Sequence, residues 1–333
     1  MKKYLLSLFA ICLTATLFAQ EVEPTPSPWS CTGVVGLNAS ATGLVNWAAG
    51  GNNNVNGVAF GKVRLLYNEN NLSWETNLNL EYGLSYIDQK NDPFQKSSDV
   101  IDFKTKFGWQ FHKAWYLTAA AGFQSQFAYG RAYDGTEADD PIISKFLSPS
   151  YTDISVGIDW KPNSIFSLYL SPVAGKITTA YVGDAVEKAN PGLREQMQEK
   201  YGTWAYVKDS DEKKYTNCKA ELGLNFKGSI NYTYKDLKII TTLGLFTPYA
   251  WDKIEVLDAE GKFAGYRDNN RRFGNFDVDW DAAISYQFLK CLNVTLSTSL
   301  KYYNGVKIAD KDGISAERVQ FKGILGLGVG YSF

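Results

Sequence analysis

Asp277, Asp279 and Asp281 stand at alternate positions in FDVDWDA. In an extended strand this spacing sets three carboxylates on one face. Such a ladder could hold a hard cation, which oxygen ligands suit. Charge pairing is the favoured reading, because like charges two residues apart on one face repel unless neutralised. Lys301 is the leading counterion. Nucleophilic chemistry is poorly served. The sole histidine, His112, lies in HKA, a short turn, and general-base catalysis needs hydrogen-bond reach between base and nucleophile. A carboxylate-only hydrolase has no positive support. The stretch NWAAGGNNN is glycine-rich, but no Lys follows and the next segment reads as a strand, so it is not a phosphate loop. Trp47, Gly50, Gly51 and Asn52 are read as a tight external turn, in which Gly and Asn supply positive φ. Ligand contact at the mouth is the alternative. Cys31, Cys218 and Cys291 show neither a disulfide framework nor metal-ligand spacing. No catalytic, cofactor-binding or metal site is assigned.

The elements that position these residues are strands. In LSWETNLNLEYGLSY, Leu72 to Tyr86, even positions are almost all apolar and odd positions polar. That is period two, with one greasy face and one polar face, over a length unusual for a soluble sandwich. The pattern recurs near residues 32–47, 55–68, 71–87, 99–111, 115–130, 151–161, 165–175, 215–232, 237–250, 274–288, 292–304 and 319–333. Connections alternate between short and long: NEN, HKA, KPNS, YKD and KCL are short, and the stretch around 176–214 is the longest. Short periplasmic turns, longer external loops and an even strand count characterise an outer-membrane barrel. The expected fold is therefore all-β, a transmembrane antiparallel up-and-down β-barrel of about 12 strands. Trp74, Trp115, Trp160, Phe166 and Phe288 fall near the periplasmic strand ends. Trp47, Tyr86, Tyr129, Tyr151 and Tyr249 fall near the external ends. Two aromatic belts suit two membrane interfaces. In the long connection, NPGLREQMQEKYG predicts a helix from Leu193 that stops at Gly202, either folded over the mouth or solvated.

The chain opens MKKYLLSLFAICLTATLFAQ, with a basic start, an apolar stretch and a small residue before Gln20. That is the layout of a signal peptide. The expected organisation is a signal peptide over 1–20, a periplasmic segment over 21–30 and the barrel over 31–333. Losing Lys2 and Lys3 leaves 34 − 2 = 32 basic against 35 acidic residues, a net charge of −3. A nucleic-acid partner is not indicated. No later run is apolar enough for a membrane-spanning helix. By alternation, the lumen candidates are Lys62, Arg64, Lys104, Lys106, Lys219, Lys227, Lys301 and Lys322 against Glu75, Glu81, Asp102, Glu221 and the three Asp. The signs nearly balance, which implies weak ion selectivity and a narrow or occluded bore, and twelve strands enclose less space than wide porins do.

Trp47, Gly50, Gly51 and Asn52 resemble the W-x-x-G-G-N signature of a Bacteroidota outer-membrane family described only as a domain of unknown function. FKTKFGW (103–109), QSQFAYG (124–130), FLSPSY (146–151), DWKPNSIFSLYLSPVAGK (159–176) and the closing GLGVGYSF (326–333) continue the resemblance. It implies an outer-membrane barrel and no activity or site residues. The terminal Phe333 resembles the signal read by the barrel-assembly machinery. The expected role is a non-enzymatic channel or transporter for small solutes, needing no cofactor, with outer-membrane lipid and the assembly machinery as partners. The alternatives are a structural or assembly-related barrel with an occluded lumen and, third, a lipid-processing enzyme.

Overall fold

The computed structural model describes residues 27–42, 54–87, 93–131, 142–210, 212–249, 253–268, 273–289, 292–304, 307–309 and 315–332. The leader 1–20, the turn residues Trp47, Gly50, Gly51 and Asn52, Cys291 and Phe333 lie outside the described residues.

Period-two alternation builds twelve long strands: β1 (Trp29–Thr42), β2 (Asn54–Glu69), β3 (Leu72–Ile87), β4 (Phe94–His112), β5 (Trp115–Ser125), β6 (Ser150–Trp160), β7 (Phe166–Thr179), β8 (Cys218–Tyr234), β9 (Leu237–Pro248), β10 (Asp277–Leu289), β11 (Leu292–Tyr302) and β12 (Gln320–Ser332). They pair in chain order and close into one barrel. The closing antiparallel ladder sets Val34–Ala39 of β1 against Ser332–Leu327 of β12. The fold is the expected one, an antiparallel up-and-down barrel of twelve strands. The strand ends joined by the short turns 70–71, 113–114, 161–165 and 235–236 lie at one end of the barrel, hereafter the turn end; Thr42, Ile87, Ser125, Thr179, Pro248 and Tyr302 close their strands at the other, the loop end.

Large apolar side chains are exposed on the outer face of every barrel strand, among them Leu37, Val63, Leu84, Phe107, Leu117, Val156 and Leu327. A continuous apolar belt on a closed barrel is stable only against hydrocarbon. Several polar groups on that face find partners within it. Trp74 Nε1 donates to Thr105 Oγ1 at 2.8 Å, Thr76 and Thr105 share a 2.9 Å bond, and Trp280 Nε1 donates to Thr241 Oγ1 at 2.9 Å. This is the pairing that lipid, which offers no hydrogen bonds, demands. At the turn end Trp115, Trp160 and Phe166 stack in sequence, with ring centroids 6.1 and 5.9 Å apart. At the loop end Tyr86 meets Phe94 at 5.2 Å.

Several expectations need correction. β1 begins at Trp29, inside the segment expected to precede the barrel. β5 ends at Ser125 instead of continuing to 130. There the Asp99 carboxylate accepts the Phe127 and Ala128 N–H groups at 2.7 and 2.8 Å and so replaces the ladder. Lys96 pairs with the same carboxylate at 2.7 Å. Tyr151 was placed in the external belt, but it pairs with Gln124 and shares the inward parity of Asp153 and Ser155. It therefore faces the lumen.

At the loop end the connection 180–217 packs against residues 142–148 of the preceding connection. It carries helices α1 (Asp184–Ala189) and α2 (Leu193–Tyr201). The predicted α2 stops at Gly202, whose φ of 71° is the left-handed ending that glycine favours. Its start has no side-chain N-cap; instead Glu187 accepts the N–H groups of Gly192 and Arg194 at 2.8 and 2.7 Å. Leu193 and Met197 pack with Val182, Ala180 and Ile142 in a small buried cluster. Beside it Lys145 is buried, with Nζ 5.6 Å from the Tyr181 ring centroid. Burial lowers its pKa from the usual ammonium range. Segments Lys213–Tyr215, Trp204–Val207, Lys253–Leu257 and Phe263–Asp268 form a further four-stranded sheet.

Candidate functional site

Because side chains alternate across each strand, one face of every strand lines the lumen. On β2 and β3 this face carries Lys62, Arg64, Glu75 and Glu81. Arg64 grips Glu75 through two bonds, 2.9 and 3.2 Å, the planar geometry that favours Arg over Lys. Lys62 stands 3.8 Å from Glu81.

Toward the turn end the lumen holds a dense cluster. Asp159 of β6 is fully buried. Lys106 of β4 approaches it at 2.6 Å and Lys161, in the following turn, at 3.2 Å. Ser167 Oγ donates to its other oxygen at 2.8 Å. Lys106 also lies over the Tyr169 ring at 4.9 Å, and Lys161 over Tyr116 at 5.0 Å. A carboxylate removed from water is tolerated only when paired and hydrogen-bonded; Asp159 meets both conditions.

At the loop end the expected triad is resolved residue by residue. All three share inward parity on β10. Asp279 stands 3.4 Å from Lys301 of the adjacent β11 and accepts the Tyr303 hydroxyl at 2.6 Å. Asp277 is buried and pairs at 2.9 Å with Lys176 of β7. β7 is not adjacent; β8 and β9 lie between it and β10. The counterion of Asp277 thus reaches across a chord of the barrel and is Lys176, whereas Lys301, the expected counterion, serves Asp279. Asn304 N–H donates to the other Asp277 oxygen at 3.0 Å, and Lys176 lies 5.0 Å from the Tyr303 ring centroid. Tyr303 and Asn304 therefore fold back into the mouth. Asp281 is exposed and makes no ion pair among the described residues. Among the described residues no three His, Cys, Asp or Glu side chains converge as a metal site.

Four lumen charges, Asp153, Asp159, Lys176 and Lys238, are absent from the lumen candidates expected from the sequence. Asp153 and Asp159 occupy alternate positions of DISVGIDW, so the period-two rule could have found them. Lys176 was hidden by a β-bulge. Val156 pairs with Val173 and Ile158 with Leu170, so β7 holds one extra residue there. A bulge resets the alternation, and Pro172 within it, having no N–H to donate, is the only signal.

The lumen is wet. Side chains of Lys62, Lys104, Asp279 and Lys301 are 53, 44, 43 and 39% accessible although a closed wall surrounds them.

Residues 39–130 match a family described as "Protein of unknown function (DUF3078)". That stretch includes Trp47, Gly50, Gly51 and Asn52. No protein of curated function matches by sequence. Among solved structures, the chain is similar to an outer-membrane channel from Pseudomonas putida F1, at 10% identity and a TM-score of 0.39, over 94% of this chain and 99% of that one. It is also similar to the translocator domain of the autotransporter NalP from Neisseria meningitidis, at 11% identity and a TM-score of 0.35, over 98% and 95% of the two chains. At such scores nothing about function is carried over.

Proposed function

We propose that this chain is an outer-membrane barrel of a Gram-negative bacterium that passes small polar solutes and catalyses no reaction. One observation carries the reading: inward charged side chains on β2, β4, β10 and β11 remain accessible to water inside a closed wall. A barrel plugged by its own side chains would bury them. In this reading the turn end faces the periplasm and the loop end faces outward, because external loops are the longer ones. The W-x-x-G-G-N resemblance supports placement in a Bacteroidota outer membrane. Outer-membrane lipid covers the belt, and Phe333 is the proposed signal to the assembly machinery.

A second reading, an occluded structural barrel, is favoured by the Lys176–Asp277 chord and the inward fold of Tyr303 and Asn304. Purified protein in a planar bilayer separates the two. The expected result is stepwise ionic current at neutral pH. Folded, inserted protein that carries no current would favour the occluded barrel.

A further inference from the structure

The lumen charges nearly balance in sum, but they are sorted along the axis. In the loop-end half of the strands, Glu81, Asp153, Glu221 and the triad outnumber Lys176, Lys219 and Lys301. In the turn-end half, Arg64, Lys106, Lys227 and Lys238, with Lys161 beside them, outnumber Glu75 and Asp159. Parity places Lys238 inward, opposite Ser285.

Where the two halves meet, two charges have no mate. Lys227 of β8 makes no hydrogen bond or ion pair among the described residues, and neither does Asp153 of β6. Their neighbours are already engaged: Lys104 holds Asp102 at 2.7 Å, Lys106 holds Asp159, and Lys176 reaches to Asp277. Asp153 is level with Lys176 on β7 and Lys227 with Tyr169, so the anion stands nearer the loop end and the cation nearer the turn end. Each charge faces a glycine on one neighbouring strand and a large side chain of β7, Lys176 or Tyr169, on the other. Asp153 lies over Gly122, where a Cβ would meet its carboxylate oxygen at 2.5 Å. Lys227 pairs with Gly244, where a Cβ would have contacts no nearer than 3.7 Å. Asp153 is exposed and Lys227 half-buried, so an anion and a cation face the bore.

We infer that this mid-lumen site recognises small zwitterions, molecules carrying an ammonium and a carboxylate, such as free amino acids. The inference rests on the passage reading above. The ammonium faces Asp153 and the acidic outer half; the carboxylate faces Lys227 and the basic inner half. A lone anion or cation meets repulsion in one half of the bore. A zwitterion can lie along the field in both, because charge-lined clefts concentrate what complements them. Neutral solutes gain nothing from it.

Liposome swelling with isomeric probes tests this directly. Alanine and lactamide have the same atoms, but only alanine is zwitterionic. After subtraction of protein-free liposomes, the wild-type barrel should admit alanine about tenfold faster, the low end of electrostatic focusing. The preference should shrink in high salt as screening shortens. Lys227→Gln and Asp153→Asn, each first shown to be folded by heat-modifiable migration, should each bring the two rates together. Equal wild-type rates for the isomers would overturn the zwitterion site while leaving a working channel. Swelling with neither isomer, together with no ionic current, would overturn the passage reading and this inference with it.

Discussion

Replacing Leu80 with Arg is expected to destabilise the barrel by about 2–4 kcal/mol, the cost of a cation on the lipid face near the bilayer midplane. Leu80 sits midway along β3, paired with Gly61 and Ile101 on the outward face. Asn79→Arg, one residue away, should cost much less, because Asn79 faces the lumen between Lys62 and Asp102. Urea unfolding in phospholipid vesicles reads both. Equal losses would mean that the two faces have been exchanged, since a one-residue slip moves every side chain of a strand to the other side.

Asp159→Ala should cost about 3 kcal/mol, because it leaves Lys106 and Lys161 facing each other in a partly dry pocket. The carboxylate is completely buried and serves both lysines and Ser167. Asp102→Asn is the matched comparison. Its partner Lys104 is 44% accessible, and solvated ion pairs contribute about 0–1 kcal/mol. The same unfolding measurement applies. A loss below about 1 kcal/mol at Asp159 would show that water enters the pocket and replaces the lost charge.

The barrel was legible because its information is local. Fifteen residues of strict alternation on β3 declare two faces without reference to any other strand, and the sorted connection lengths declare antiparallel order. The same parity put Asp277, Asp279, Asp281 and Lys301 on inward faces. What resisted reading depends on closure. The Lys176–Asp277 pair joins residues 101 apart in sequence across two intervening strands, and only the curvature of the closed wall brings them together. The Pro172 bulge also conceals the inward turn of Lys176. Tyr151 was misplaced for a related reason. An aromatic near a strand end reads as an interface anchor, and only its cross-strand pairing with Gln124 shows that it points inward. The return of Tyr303 and Asn304 into the mouth leaves no periodic trace, being fixed by hydrogen bonds to Asp279 and Asp277.

The passage reading requires that ions travel past the β10 carboxylates. The most direct measurement is the reversal potential in a salt gradient, wild type beside the triple variant Asp277→Asn, Asp279→Asn, Asp281→Asn. The variant frees Lys176 and Lys301 from their carboxylates, so unpaired ammonium groups set the field at the outer mouth. The predicted result is current in both proteins and a shift toward anion preference in the variant, largest at low salt and fading as the screening length falls to about 3 Å at 1 M. An open channel with an unchanged reversal potential would place the triad off the permeation path. Inserted wild-type protein that carries no current would contradict the account outright.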